Sequence, residues 1–123
     1  MSINTHFRTP IVAVQVSRAD DVVVVHVAGE VDMSSVEPLE TAIRAGLRDH
    51  PTGLVVNMTD VSFCGSSGLR ILLEARELAE STGTSLSLVA RGPAVLRTLE
   101  ISGLSELFRI HSSVSEALMT HPA

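Results

Sequence analysis

An α/β fold is what this sequence predicts: a mixed, mostly parallel sheet of 4–5 strands with an N-terminal hairpin and about four helices. Three observations point there. Short β-branched runs alternate along the chain with segments whose apolar residues recur at helical spacing. The first two strand-like runs, ending and beginning around Arg18-Ala19-Asp20-Asp21, are close enough in sequence to pair as a hairpin. The later apolar runs are short and continuous, as strands buried inside a parallel sheet are.

Each element has its own signal. Ile11, Val12, Val14 and Val16 largely alternate with smaller or polar residues and predict an edge strand. Val22 to Val27 is the β-branched strand that pairs with it, and Ala28-Gly29-Glu30-Val31-Asp32 ends that strand, with Gly29 supplying backbone freedom. A helix is expected from Ser34 or Ser35, because Ser34 and Glu37 have capping-box spacing and Pro38 is tolerated only in a first turn. Leu39, Ala42, Ile43 and Leu47 form its apolar face, and His50-Pro51-Thr52-Gly53 stops it. Leu54 to Met58 is the next strand. A second helix runs to about Ser81 with Gly83 at its C-terminus, carrying Leu69, Leu72, Leu73 and Ala79 inward. On its outer face Arg70–Glu74 and Arg76–Glu80 are opposite charges four apart, each contributing ~0.3 kcal/mol. Leu86, Leu88 and Val89 mark a strand, and Gly92-Pro93 opens a helix with Val95, Leu96 and Leu99 on one face that closes at Gly103. Phe108 to Ile110 is the last strand. Ser113 with Glu116 repeats the capping-box spacing ahead of Val114, Ala117 and Leu118. Residues 1–9 are polar and unpatterned, a flexible N-terminus; 10–119 form one domain, and 120–123 a short tail.

Composition narrows the function. The chain has 123 residues, enough for one sizeable core, and 45% of them are apolar, with no Trp or Tyr and three Phe. The core is therefore aliphatic, and an aromatic ligand platform is not expected. Fourteen acidic residues outnumber nine basic ones, all of them Arg, for a net charge of −5, which argues against nucleic acid. Cys64 stands alone, so there is no disulfide framework, and it reads as a small buried hydrophobe in a reducing cytosol. No apolar run approaches the ~18 residues of a membrane span, and no secretory h-region opens the chain, so a cytoplasmic protein without membrane contact is expected.

The stretch Asp60-Val61-Ser62-Phe63-Cys64-Gly65-Ser66-Ser67-Gly68-Leu69-Arg70 draws attention. There a strand pattern gives way to a helical one, and two hydroxyls stand where a helix offers unpaired N–H groups. Ser66 or Ser67 fits the N-cap, and capping alone would account for both. The stretch is not a nucleophile elbow: centred on Ser66 the flanking residues are Cys64 and Gly68, centred on Ser67 they are Gly65 and Leu69, and each lacks one glycine. His6, His26, His50, His111 and His121 are scattered, no two His or Cys fall at metal-ligand spacing, and Glu30 with Asp32 is a lone carboxylate pair. Neither glycine-rich nucleotide motif is present, and without a lysine a Walker site is excluded. No catalytic constellation, metal site or cofactor site survives. A phosphate added at the serine turn would instead be favoured by the helix N–H groups, and would bring about −1.5 to −2 charges into a docking surface.

Three segments taken together carry a resemblance: Gly29-Glu30-Val31-Asp32, then Phe63-Cys64-Gly65-Ser66-Ser67-Gly68-Leu69-Arg70, then Leu99-Glu100-Ile101-Ser102-Gly103-Leu104 with Phe108. From about residue 10 to 119 the chain resembles the STAS family, and within it the bacterial anti-sigma factor antagonists. The resemblance implies a single STAS domain that is not an enzyme. It implies binding to an anti-sigma factor, typically a serine kinase that itself binds ATP, so that a sigma factor is released. It also implies phosphorylation by that kinase of the first serine of an Asp-Ser-Ser/Thr-Gly turn, which breaks the complex, and a phosphatase that restores it. Ser66 matches that serine, Ser67 and Gly68 match the following positions, and Asp32 matches an acidic residue near the same surface. The expected contact surface is Glu30, Asp32, Gly65, Ser66, Ser67, Gly68 and Arg70. Gly65 departs from the family pattern, which has Asp there, and would loosen the turn so that either serine could take the cap. The alternative is a STAS module, never phosphorylated, that docks a partner in a lipid-transport or stress-signalling assembly. A monomer or weak dimer is expected.

Overall fold

A computed structural model describes residues 12–120. The expected loose N-terminus at 1–9, the start of the first strand at Ile11 and all but the first residue of the 120–123 tail lie outside the described residues. The elements are β1 (Val12–Ala19), β2 (Val22–Val31), α1 (Glu37–Leu47), β3 (Gly53–Cys64), α2 (Ser66–Thr82), β4 (Ser85–Val89), α3 (Pro93–Ile101), a single 3-10 turn (Ser105–Leu107), β5 (Arg109–His111) and α4 (Val114–Thr120). The five strands form one sheet in the order β1-β2-β3-β4-β5. β1 is antiparallel to β2, and every other pairing is parallel. The α/β class, the opening hairpin and the element order are those expected.

Alternation within β2 explains why both faces need cover. Val23, Val25 and Val27 point into the larger core with Leu54 and Val56 of β3 and Leu88 of β4, which α1, α2 and α3 close with Leu39, Ile43, Leu47, Ile71, Leu72, Val95 and Leu99. Val22 and Val24 point the other way and meet Val55, Val89 and Ala117, where α4 docks. A central strand buried on both sides reads as a continuous apolar run, as Val22–Val25 does.

Strand ends and helix starts differ from the sequence reading. β2 does not stop at Val27: it continues to Val31 through two register irregularities against β3, with Gly29 at φ +102° absorbing the distortion. β3 likewise continues past Met58 to Cys64. Its first half pairs with β4 only through Asn57, so the extension has β2 alone as a neighbour. The capping box expected at Ser34 does not form. α1 begins at Glu37 after Val36, without a side-chain cap, and Ser34 and Ser35 bind Asp32 instead. Pro38 does sit in the first turn of α1. At the other end of the chain, Ser113 Oγ accepts from the Glu116 N–H at 3.1 Å, the expected cap of α4.

Packing under the start of α2 leaves no room for a side chain at Gly68. A Cβ on Gly68 would stand 2.8 Å from Cys64 Sγ and 2.9 Å from Val31 Cγ1. Gly68→Ala is therefore expected to destabilise the protein by roughly 1–3 kcal/mol. Urea denaturation would measure this, and Gly68→Ala with Cys64→Ala should recover part of the loss, because it removes one of the two obstructing atoms.

Candidate functional site

The C-terminal ends of β2 and β3 lie side by side, with Glu30 opposite Phe63 and Val31 opposite Cys64. The Gly65 N–H extends that ladder by donating to the Val31 carbonyl at 2.9 Å. This bond fixes where the strand ends and α2 begins. Gly65, not Ser66 or Ser67, is the N-cap, at φ −88° and ψ −173°, and no side chain caps the helix. Ser66 and Ser67 are the first two residues of α2, Ser66 exposed and Ser67 half-buried. The backbone at Gly65 is ordinary extended chain that any residue adopts, so the geometry does not require glycine, and neither serine takes the cap that the sequence offered them. A Cβ there would meet the end of the Phe63 ring at 3.2 Å.

Asp32 turns the chain after β2. Its carboxylate accepts from the Ser34 hydroxyl at 2.8 Å, the Ser34 N–H at 3.0 Å and the Ser35 hydroxyl at 3.1 Å. The nearly buried Ser35 hydroxyl also reaches the Glu30 carbonyl at 2.7 Å and accepts the Asp32 N–H at 3.0 Å. The Ser34 hydroxyl and then its N–H, opposed by slight burial and helped by Ser35, hold the Asp32 carboxyl below its ordinary value of 3.8. The charge therefore persists at neutral pH on a surface loop of fixed shape. Arg70 is tied to Glu74 at 2.7 Å, one turn further along α2. Burial pushes the Cys64 thiol up to about 11, so it stays protonated and packs as an apolar group.

The structure thus brings Glu30, Asp32, Gly65, Ser66, Ser67 and Gly68 to one end of the sheet, with Gly68 buried beneath the others and Arg70 facing outward on the next turn. Two residues that the sequence reading missed belong to the same surface. Met33 sits at the tip of the Asp32–Ser35 turn with 83% of its surface exposed, and Phe63 leaves 50% of its surface exposed beside Gly65. Met33 stands between polar neighbours, Asp32 and Ser34, which was its only signal; Phe63, between Ser62 and the apolar Cys64, gave none. No group of three or more His, Cys, Asp or Glu among the described residues can hold a metal ion. The groove of about 350 Å³ between α1 and α2, floored by Ile43, Ile71 and Ala75, is lined by none of these residues and meets them only through Glu74, the partner of Arg70. No helix among the described residues is long and apolar enough to cross a membrane.

The model of the STAS domain matches residues 13–117. The chain belongs to the STAS domain family. This STAS domain is 36% identical over 109 residues to the anti-sigma-F factor antagonist RsfB of Mycobacterium tuberculosis (strain CDC 1551 / Oshkosh), covering 87% of each chain. It superposes on the crystal structure of an anti-sigma factor antagonist from Mycobacterium paratuberculosis with a TM-score of 0.83 and 36% identity, over 89% of this chain and 93% of that one. The anti-sigma factor antagonist SpoIIAA in its unphosphorylated form matches with a TM-score of 0.67 and 27% identity, over 86% of this chain and 93% of that one.

Two outcomes follow from the geometry of the STAS domain. Gly65→Asp should change stability by less than about 0.5 kcal/mol, because the backbone suits Asp, an N-cap carboxylate is favourable and only an exposed ring must shift; thermal melts would check it. The depressed Asp32 pKa means that its contribution to the loop is complete above pH 3.8 and is lost as pH falls through the lower folded value. A carboxyl-carbon NMR titration should find that lower value, and Ser34→Ala should return it toward 3.8.

Proposed function

We propose that this STAS domain is an anti-sigma factor antagonist, a regulatory binding protein rather than an enzyme. Its partner is an anti-sigma factor with serine kinase activity that binds ATP itself, and the complex frees a sigma factor. The observation that carries the reading is the exposed Ser66 in the uncapped first turn of α2, beside the acidic Glu30–Asp32 edge. A kinase can reach that hydroxyl without unfolding anything. The first-turn N–H groups favour the phosphate locally, while the added charge and bulk oppose re-docking of a surface that had fitted the neutral serine. A phosphatase then resets the switch. Contact residues are Glu30, Asp32, Gly65, Ser66, Ser67, Gly68 and Arg70, and to these we add Met33 and Phe63 as apolar anchors. Exposed Met and Phe beside carboxylates fit a partner surface with an apolar cleft rimmed by cationic groups.

The absence of a carboxylate at Gly65 favours one second reading: a STAS module that docks the same way in a transport or stress-signalling assembly and is not modified. The two readings separate in one experiment. Anti-sigma kinases of the source organism are purified and titrated with wild type, Ser66→Ala and Ser66→Asp in the presence of ATP. The switch requires that wild type and Ser66→Ala bind, that only wild type accepts radiolabelled phosphate, and that Ser66→Asp binds at least 10-fold more weakly. Equal binding of all three without labelling keeps the antagonist role and discards the switch. Loss of binding to every kinase defeats both the antagonist role and the switch.

Met33→Ala and Phe63→Ala should each weaken binding of that kinase by about 10-fold, about 1.4 kcal/mol, while leaving the melting temperature unchanged within 1–2 degrees, roughly what a mutation worth under 0.5 kcal/mol does. Isothermal titration alongside melting curves would measure both.

A further inference from the structure

The end of the sheet where β4 and β5 begin carries a second feature, remote from the serine turn. Arg76 from α2 and Arg109 at the start of β5 line one concavity of about 290 Å³, together with Glu80, Ser85, Leu86 and Phe108. Two like charges lining one recess repel each other unless something neutralises them. In a chain of net charge −5, bringing two of nine cationic residues together here runs against the average. Among the described residues the only carboxylate lining the recess is Glu80, whose Oε2 lies 3.9 Å from Arg76 Nη2 and whose side chain is 66% exposed.

The donors are held but not used up. Arg76 Nε donates to the Leu107 carbonyl at 3.0 Å, which orients the guanidinium. Arg109 Nη1 donates to Ser85 Oγ at 3.3 Å, so the Ser85 hydroxyl accepts there and keeps an O–H of its own as a donor. Each guanidinium retains N–H donors in a fixed fork that suits the oxygens of a tetrahedral or planar anion. The Thr84 hydroxyl, by contrast, is committed to the Pro51 carbonyl at 2.8 Å. Leu86 and Phe108 add an apolar wall beside the charged groups.

We infer that this recess is a binding site for a small phosphomonoester, with Arg76, Arg109 and the Ser85 hydroxyl holding the phosphate and Leu86 and Phe108 meeting its organic body. Arg76 lies ten residues after Ser66 on α2, ~15 Å along the helix axis, so the ligand and the serine turn occupy different ends of one helix. The site is independent of the proposed antagonist role.

The test is a titration of the isotopically labelled full chain with phenyl phosphate, inorganic phosphate and, as the neutral control, phenol, followed by amide NMR shifts. Saturable shifts for phenyl phosphate at Ser85, Leu86 and Arg109 are expected, with inorganic phosphate weaker and phenol inert. Arg109→Gln should reduce affinity at least 10-fold. Arg76→Gln should do so too, and because it also removes the Leu107 bond, its fold is checked by the unchanged spectrum of the rest of the chain. Raising the salt from 50 to 500 mM should weaken binding, as screening requires. Equal affinity of phosphate and phenyl phosphate would remove the organic body from the assignment. Shifts confined to the first turn of α2, or unchanged affinity in both arginine variants, would overturn the site.

Discussion

The hydrogen bond from the Gly65 N–H to the Val31 carbonyl, 2.9 Å long, is the constraint on which the rest of the candidate surface depends. It is the last rung between β2 and β3, formed by a residue that already belongs to the helix boundary. It sets the point at which α2 leaves the sheet and so decides that Ser66 is in the first turn rather than before it. The closeness of that crossing also demands a residue without a side chain one turn on, at Gly68, where Cys64 and Val31 fill the space. Four features that look separate in sequence are thus one packing solution: the glycine at 68, the buried thiol at 64, the serine at the helix start and the chain turn at Asp32.

Much of this was legible in the sequence. The β-branched run at Val22–Val27, the helical spacing through α2 and the Gly83 stop, found at φ +75°, have local causes, and local causes leave local patterns. The second halves of β2 and β3 left none. Beyond Asn57 the β3 strand has lost β4, so one of its edges faces away from the sheet, and it carries Thr59, Asp60 and Ser62 where a buried strand would carry Val. Thr59 even bonds back to the Asn57 side chain through both its N–H and its hydroxyl, a local arrangement typical of turns. A strand with one partner and polar residues reads as a loop until its register with β2 is seen.

The misassigned caps share one physical reason. Ser34 and Glu37 have the right spacing, and so do Ser66 and the helix after it, but spacing measures only what a side chain can reach. At Ser34 and Ser35 the nearer competitor is Asp32, whose carboxylate draws both hydroxyls into its own turn. At Ser66 the competitor is the sheet, which ends one residue earlier than the serine needs. Where nothing competes, at Ser113, the cap forms as the spacing predicts. Met33 and Phe63 escaped notice for the opposite reason: Met33 is a lone apolar residue with no period, Phe63 shares the strand spacing of the buried Val61, and only exposure in the fold sets them apart from core residues.

Gly65 gains meaning from the same geometry. A carboxylate at this position would cap α2 and occupy the N–H groups of its first turn, as N-cap acids do. Glycine leaves those groups without a side-chain acceptor and lets the Phe63 ring lie within contact of the backbone. The surface around Ser66 is therefore less negative and more apolar than one bearing that acid. If Ser66 is modified, its phosphate meets open N–H groups instead of a competing carboxylate, and its charge is added beside the acidic Glu30–Asp32 edge with no further acid at position 65. The contrast between the two states of the surface is then carried by the phosphate alone. Under the proposed function, glycine at 65 shifts recognition of the unmodified form toward Met33 and Phe63 and leaves the first-turn N–H groups open to a phosphate on Ser66.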